Sequence, residues 1–170
     1  MPVSIDVELH SICQELGQRA MQKGVSFVTA ESCTAGGISY FITEIAGSSR
    51  WFDRGFVTYT NQAKHEMLGV KTLTLTKYGA VSEETVREMA LGALKNSHAH
   101  IAVAVSGIAG PGGAVPGKPL GTVCFGFAHL SDHGPVAVTD TQYFTGDRHA
   151  VRLCTIRHAV QGLIEELDKV

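Results

Sequence analysis

The sequence lacks the features of an exported, membrane-spanning or nucleic-acid-binding protein. Its first residues carry neither the basic segment nor the apolar stretch that a secretory signal needs. No apolar run approaches the roughly 18 residues that a membrane span requires. Lysines and arginines number 14 against 16 acidic residues, and they form no basic run that could hold a phosphate backbone. We therefore expect a cytoplasmic protein with no membrane and no nucleic-acid partner.

The sequence also lacks recognisable metal and disulfide motifs. Its four cysteines (Cys13, Cys33, Cys124 and Cys154) are widely spaced and form no CxxC pair, so we expect reduced thiols. The eight histidines include no HExxH motif and no Cys/His ligand set. We therefore expect neither a bound metal nor a cofactor.

Hydrophobic residues are plentiful. They make up 44% of the 170 residues, whereas charged residues make up 18%, so the chain can bury a sizeable core. A chain of this length has the size of one domain, and we expect residues 1–170 to form a single one.

Helical and strand patterns alternate along the chain. Apolar spacing and capping residues predict helices over about 6–22, 35–45, 61–68, 82–95 and 147–167. Short apolar runs predict strands over 25–29, 54–58 and 100–105, followed by an antiparallel hairpin of strands 122–129 and 136–144. This order is typical of an α/β protein, and it predicts a three-layer α/β/α domain with a mixed sheet.

Ligands in such folds bind beyond the carboxyl ends of the strands. That rule directs attention to three segments, which are 30–37, 59–64 and 106–119.

The first segment, 30–37, is rich in polar side chains and runs from a strand into a helix. Ser32 and Thr34 offer hydroxyls. Glu31 offers a carboxylate and Cys33 a thiol. One interpretation is a polar helix cap with glycines for close packing. The other is a nucleophile at a helix N-terminus, whose free N–H groups could stabilise an oxyanion.

The second segment contains Tyr59 and Lys64. A lysine at the start of a helix is normally solvated. If Lys64 instead points into a site, burial would lower its pKa and let it take a proton from a serine. Ser32 and Lys64 would then form a Ser–Lys dyad, with Tyr59 orienting the base or the substrate.

The third segment is the glycine-rich loop that follows the central strand, and it includes Ser106, Gly107, Ala109 and Gly110. Glycines let backbone amides approach an anion closely, although the loop could also be a simple turn. Further along, Arg148 begins the last helix. It is either an exposed arginine or a bidentate ligand for phosphate or carboxylate.

Together these segments resemble the CinA C-terminal domain family, the nicotinamide-nucleotide amidases. The similarity covers nearly the whole chain in the right order. The matching stretches are Ala30-Glu31-Ser32-Cys33-Thr34, Gly47-Ser48-Ser49 with Phe52, Tyr59 through Lys64, Gly79-Ala80-Val81-Ser82, Met89-Ala90, Gly107-Ile108-Ala109-Gly110-Pro111, Lys118-Pro119 with Gly121-Thr122-Val123, and Gly146-Asp147-Arg148 with Arg152.

The resemblance implies a compact α/β/α fold and a homo-oligomer, dimeric or higher. It also implies an activity in pyridine nucleotide salvage, which is hydrolysis of the carboxamide of nicotinamide mononucleotide to nicotinate mononucleotide and ammonia. Ser32 would be the nucleophile and Lys64 the general base, with Tyr59 close by. The expected substrate-binding residues are Glu31, Cys33, Thr34, Ser106, Gly107, Ala109, Gly110 and Arg148.

The sequence departs from the family pattern at three positions. Ala35 stands where the family often has glycine, Gly37 where a larger apolar residue is common, and Ser106 where threonine is frequent. The first two changes leave open a catalytically weak or inactive nucleotide-binding or regulatory module. A thiol amidase with Cys33 as nucleophile is a third interpretation, although no histidine is evidently placed beside it. A purely structural or interaction protein would not need three polar, glycine-bearing loops.

Overall fold

Parallel and antiparallel strands share one sheet in the computed structural model, which describes residues 2–170. The strands are β1 (Phe27–Glu31), β2 (Phe52–Val57), β3 (Ile101–Gly107), β4 (Thr122–Ser131) and β5 (Gly134–Tyr143), in the order β2-β1-β3-β4-β5. β1 is parallel to both β2 and β3, whereas β4 and β5 form the predicted antiparallel hairpin. The carboxyl ends of β1, β2 and β3 therefore meet at one edge.

Helices cover both faces of this sheet. They are α1 (Ile5–Lys23), α2 (Gly37–Thr43), α3 (Asn61–Leu68), α4 (Thr72–Tyr78), α5 (Glu83–Lys95) and α6 (Arg148–Leu167). One buried apolar cluster joins α1, α2 and α6 to one face, and a second cluster joins α3, α4 and α5 to the other. The prediction of a three-layer α/β/α fold with a mixed sheet is confirmed.

Local capping explains several helix boundaries. The hydroxyls of Thr60 and Ser82 and the carboxylate of Asp147 each accept a backbone N–H in the first turn of α3, α5 and α6, respectively. α3 ends at Gly69, which adopts a φ of 72°. The Ser82 and Asp147 caps lie where the sequence predicted them. The Thr60 and Asp147 caps fix the starts of α3 and α6, the two helices that border the site.

Two boundaries near the site differ from the prediction. β1 runs two residues further than expected, so Ala30 and Glu31 belong to the strand and not to a loop. α2 begins at Gly37 and not at Ala35, because Ala35 and Gly36 adopt positive φ values of 48° and 95°. A tight turn therefore separates Ser32 from the helix.

Helix α4 was not predicted from the sequence. It contains three threonines, a residue type that favours strands when considered alone, and its packing against α5 and the second apolar cluster overrides that preference. None of the helices in residues 2–170 has an apolar stretch long enough to cross a bilayer.

Candidate active site

A small cavity lies at the edge where the parallel strands end. Its volume is about 220 Å³. The turn after β1, the start of α3, the segment before α5, the end of β3 and the start of α6 all contribute to it. The lining residues are Ser32, Cys33, Tyr59, Asn61, Lys64, Ala80, Val81, Ser106, Gly107, Ala109 and Arg148.

The turn after β1 holds Ser32 in a fixed position. The Ser32 N–H donates to the Val105 carbonyl at 3.1 Å, which extends the β1–β3 ladder by one bond. The Ala35 N–H then donates back to the Ser32 carbonyl at 3.1 Å and closes the turn. The Ser32 side chain is only 7% exposed, so its hydroxyl meets the cavity and little else.

Lys64 reaches the Ser32 hydroxyl from α3. Its Nζ lies 3.0 Å from Ser32 Oγ, 3.0 Å from the Thr58 carbonyl oxygen and 3.4 Å from the Tyr59 carbonyl oxygen. The lysine is 1% exposed, and burial lowers the pKa of its amine to about 8. The alternative of a solvated surface lysine is therefore excluded.

This arrangement suits a neutral amine. A neutral lysine has two N–H bonds and one lone pair, and the two carbonyls can accept both N–H bonds. The lone pair then faces Ser32 Oγ and can accept its proton. The geometry can therefore generate a serine nucleophile at a pH near 8.

Glu31 and Thr34 do not line the cavity, although both were expected among the substrate-binding residues. The Glu31 carboxylate is fully buried and accepts the Thr34 hydroxyl at 2.7 Å, the Ile38 N–H at 2.8 Å and the Ser39 N–H at 3.0 Å. Because Glu31 is a strand residue, its side chain points into the protein and caps α2.

That cap also changes the predicted oxyanion site. The first amides of α2 already donate to Glu31 or to the preceding turn, so they are not free for a ligand. Within the described residues, the Cys33 amide donates to no other residue, and Cys33 lines the cavity. An N–H from the residue after the nucleophile is a common oxyanion donor.

The Cys33 thiol is poorly suited to act as a nucleophile. Its side chain is buried, and burial raises the pKa of the thiol to about 12. The reactive form of cysteine is the thiolate, which is scarce at neutral pH under these conditions.

Arg148 and Tyr59 meet at the mouth of the cavity. The guanidinium of Arg148 donates to the Tyr59 hydroxyl at 3.1 Å and to the Gly110 carbonyl at 2.9 Å. Gly110, which was expected to contact the substrate, does not line the cavity, and its carbonyl accepts from Arg148. The backbone carbonyl of Tyr59 accepts a hydrogen bond from Lys64, whereas the side chain of Tyr59 is exposed.

The end of β3 forms the floor of the cavity. Ser106 is buried, and Gly107 has no room for a side chain, since a Cβ would lie 2.7 Å from Val123 Cγ2. The Ile108 N–H donates to the Thr122 carbonyl at 2.9 Å, which ties the loop to β4. Close packing against Val123 explains why position 107 is a glycine, and Ala109 lines the same side of the cavity.

Most of the predicted site residues come together in this cavity. They are Ser32, Cys33, Tyr59, Lys64, Ser106, Gly107, Ala109 and Arg148, whereas Glu31, Thr34 and Gly110 lie outside its lining. Sequence reasoning missed Asn61, Ala80 and Val81. Asn61 could have been found, because it lies three residues before Lys64 and so shares a helix face with it. Ala80 and Val81 are apolar loop residues without such a signal. In the part of the chain that the structure describes, no three His, Cys, Asp or Glu side chains come together as metal ligands.

Fold and site together define a three-layer α/β/α protein with a serine and a buried lysine at the carboxyl edge of its parallel strands. The chain belongs to the CinA C-terminal domain family, whose pattern matches residues 9–167. It is 54% identical over 161 residues to the nicotinamide-nucleotide amidohydrolase PncC of Enterobacter agglomerans, covering 95% of this chain and 96% of that protein.

Two further relatives agree with this assignment. The nicotinamide-nucleotide amidohydrolase PncC of Escherichia coli K12 is 49% identical over 161 residues, which cover 95% of this chain and 96% of the relative. The crystal structure of the competence/damage inducible protein CihA from Agrobacterium tumefaciens superposes with a TM-score of 0.87 at 45% identity. That match covers 94% of this chain and 95% of the other.

Proposed function

We propose that this protein hydrolyses the carboxamide of nicotinamide mononucleotide to nicotinate mononucleotide and ammonia, by a metal-independent Ser–Lys mechanism. The observation that carries the proposal is the 3.0 Å contact between Lys64 Nζ and Ser32 Oγ beside a cavity. The relatives named as nicotinamide-nucleotide amidohydrolases support the choice of substrate.

In the first half of the reaction, Ser32 Oγ attacks the carboxamide carbon while Lys64 accepts the hydroxyl proton. The negative charge that develops on the carboxamide oxygen faces the Cys33 N–H, which donates to no other residue among those described. Lys64 then returns the proton to the amino group, the C–N bond breaks and ammonia leaves. Nicotinate mononucleotide remains bound to Ser32 as an ester.

In the second half, a water molecule attacks the ester carbon and Lys64 accepts one of its protons. The C–O bond to Ser32 breaks, the serine recovers a proton from Lys64, and the acid product leaves. One lysine can serve both halves because its pKa of about 8 lies close to neutral pH.

The mouth of the cavity is suited to the rest of the nucleotide. Arg148 presents a guanidinium there, and its contact with Tyr59 holds it beside the opening. A phosphate could accept two parallel N–H bonds from this group. Asn61 shares the face of α3 that carries Lys64, and its side-chain amide can pair with a carboxamide.

The proposal also covers the domain organisation, oligomeric state, cellular location and partners of the enzyme. All five strands join one sheet, which supports a single amidase domain over residues 1–170. We further propose a cytoplasmic homo-oligomer, dimeric or higher, without a nucleic-acid or membrane partner. The formal net charge of −2 supports the absence of nucleic acid.

The test is ammonia release from nicotinamide mononucleotide by the purified protein with EDTA present. We expect turnover that survives EDTA and is lost in the Ser32→Ala variant. The exposed Ser11→Ala variant is the matched control and should keep full turnover. Loss of turnover in EDTA that returns with an added divalent metal would contradict the metal-independent mechanism.

A nucleotide-binding or regulatory module is the second candidate. It is favoured by one observation, the positive φ of 48° at Ala35, because a strained turn beside Ser32 could misplace the hydroxyl. This candidate predicts that the nucleotide raises the melting temperature of the wild type without release of ammonia. It also predicts that Ala35→Gly, which relieves the strain at that position, gains ammonia release.

A further inference from the structure

Arg152 contacts the turn after β1, which carries Ser32, from outside the cavity. It lies one turn after Arg148 on α6 and is partly buried. Its Nε donates to the Cys33 carbonyl at 3.1 Å, and its Nη2 donates to the Thr34 carbonyl at 3.3 Å. Arg152 does not line the cavity, so its guanidinium reaches the backbone of the turn and not the space for a substrate.

The turn has a backbone conformation that must be held in place. Ala35 and the following Gly36 both adopt positive φ values, and an alanine rarely adopts one. Glu31 fixes the turn on its inner side by accepting the Thr34 hydroxyl. On the outer side, Arg152 is the donor to the Cys33 carbonyl.

A short chain of contacts links Arg152 to the Cys33 amide. Arg152 holds the carbonyl of Thr34, which belongs to the same rigid peptide unit as the N–H of Ala35. That N–H donates to the Ser32 carbonyl, which belongs to the same peptide unit as the N–H of Cys33. Orienting the first unit therefore orients the second.

We propose that Arg152 is a positioning residue for catalysis, which aims the Cys33 N–H at the carboxamide oxygen that becomes an oxyanion when Ser32 attacks. The inference rests on the proposed function and deepens it. A planar guanidinium that bridges two successive carbonyls fixes both peptide units, whereas a lysine would act as a single point charge. Arg152 therefore acts on the transition state through the backbone and does not bind the nucleotide.

Steady-state kinetics with nicotinamide mononucleotide separate this role from substrate binding. We expect Arg152→Ala to lower kcat by about tenfold to a hundredfold, as small displacements of reacting groups do, with KM within about twofold. The kcat of Arg152→Lys should lie between those of the wild type and Arg152→Ala. Added guanidinium at a non-denaturing concentration should restore part of the kcat of Arg152→Ala. An effect on KM alone, or no rescue by guanidinium, would overturn the proposal.

Arg157→Ala is the matched control for structural effects. Arg157 lies on the same helix and bridges to Glu8 of α1 at 3.3 Å, so its loss also removes a contact of α6. We expect its kcat to stay near the wild-type value. An equal fall of kcat in Arg157→Ala and Arg152→Ala would show a general loosening of α6 and would contradict the specific role.

A covalent probe makes the test independent of the proposed substrate. A fluorophosphonate reacts when the serine oxygen bonds to phosphorus, the proton passes to Lys64 and fluoride leaves. Intact mass should show one label in the wild type, none in Ser32→Ala, and labelling at least tenfold slower in Arg152→Ala. Slow labelling that guanidinium restores, in a protein that does not hydrolyse the nucleotide, would refute the proposed function and keep the inference. Equal labelling rates in the wild type and Arg152→Ala would refute the inference.

Discussion

The amine of Lys64 and the hydroxyl of Ser32 lie 3.0 Å apart, although the two residues are separated by 32 positions in the chain. The lysine is brought there by α3, and the serine by the turn that follows β1. Burial lowers the pKa of the amine, and the same burial keeps bulk water away from the pair. The fold thus supplies both the contact and the protonation state that a base needs.

Replacing the lysine by methionine should abolish activity without unfolding the protein. Lys64→Met keeps most of the length of the side chain and removes a buried amine, so stability should hold or rise. We expect kcat to fall by at least about a hundredfold, since general-base catalysis contributes that much or more. Ammonia release measures the activity, and urea unfolding measures the stability. The exposed Lys95→Met variant is the control, and full activity in Lys64→Met would exclude the dyad.

The pH dependence of activity should follow the same amine. Lys64 acts as a base only when it is neutral, so kcat/KM should rise with pH and level off above about 8. The profile of Arg157→Ala should coincide with the wild type. A rate that is flat from about two pH units below the pKa of Lys64 to about one unit above it would contradict the assignment.

The free energy of unfolding should depend on pH in the opposite sense to that expected for a lysine in a salt bridge, because the pKa of Lys64 is lowered in the folded protein. The pKa of Lys64 lies near 8 in the folded protein and at 10.5 in the unfolded chain, so the unfolded state binds more protons between these values. The free energy of unfolding should therefore rise with pH across that window, by on the order of 3 kcal/mol from this group alone. Subtracting the profile of Lys64→Met isolates the contribution, and a difference that falls with pH would contradict it.

The cysteine beside the nucleophile should be dispensable. A thiol with a pKa of about 12 supplies almost no thiolate at neutral pH, so Cys33→Ala and Cys33→Ser should keep turnover within a few-fold of the wild type. Iodoacetamide should label Cys33 in the folded protein more slowly than the partly exposed Cys154. Loss of turnover in both Cys33 variants would revive the thiol-amidase interpretation.

Arg148 should discriminate between phosphorylated and unphosphorylated substrates. Hydrogen bonds to charged groups contribute about 1.5–3 kcal/mol, so Arg148→Ala should raise KM for nicotinamide mononucleotide by roughly tenfold to a hundredfold. KM for nicotinamide riboside, which lacks the phosphate, should change little. Tyr59→Phe should have a smaller effect, because it removes only the hydroxyl that holds Arg148 in place. An equal rise of KM for both substrates would argue against a phosphate contact.

Gly37 and Ile156 should be energetically coupled. A Cβ at position 37 would lie 2.8 Å from Ile156 Cδ1, and that crowding offsets the gain that alanine brings to a helix, which is at most about 1 kcal/mol at its first residue. The Ile156→Val change removes the crowding methyl group. Gly37→Ala should therefore stabilise the protein by about 1 kcal/mol more in the Ile156→Val background than in the wild type. Urea unfolding of the four proteins measures the coupling, and additive effects would refute it.

The sequence predicted the layers of the fold because its apolar spacings and caps are strong. Ser82 and Asp147 cap the helices that they were expected to cap, and Gly69 ends α3. The meeting of Ser32 with Lys64 followed from the rule that ligand segments gather at strand ends, together with the family resemblance. Their catalytic roles stay predictions.

The role of Glu31 could not be read from the sequence. A two-residue difference in the end of β1 decides whether this side chain lies in a loop or inside the protein. Likewise, the contact of Arg152 with Cys33 spans 119 positions, and no local pattern encodes a bond between a side chain and so distant a carbonyl. Glu31 and Arg152 both lie in the stretches that match the family, but only the folded chain shows their hydrogen-bond partners.

The arginines of α6 also set the order in which the site can be completed. Ser32 and Lys64 are synthesised early. Arg152, which contacts the turn after β1, and Arg148, which lies at the mouth of the cavity, are both on α6, which is synthesised last. Because domains are synthesised from the N-terminus, a nascent chain carries its serine and lysine well before this helix exists. The turn after β1 therefore lacks its contact with Arg152 until α6 has been synthesised and has packed against it.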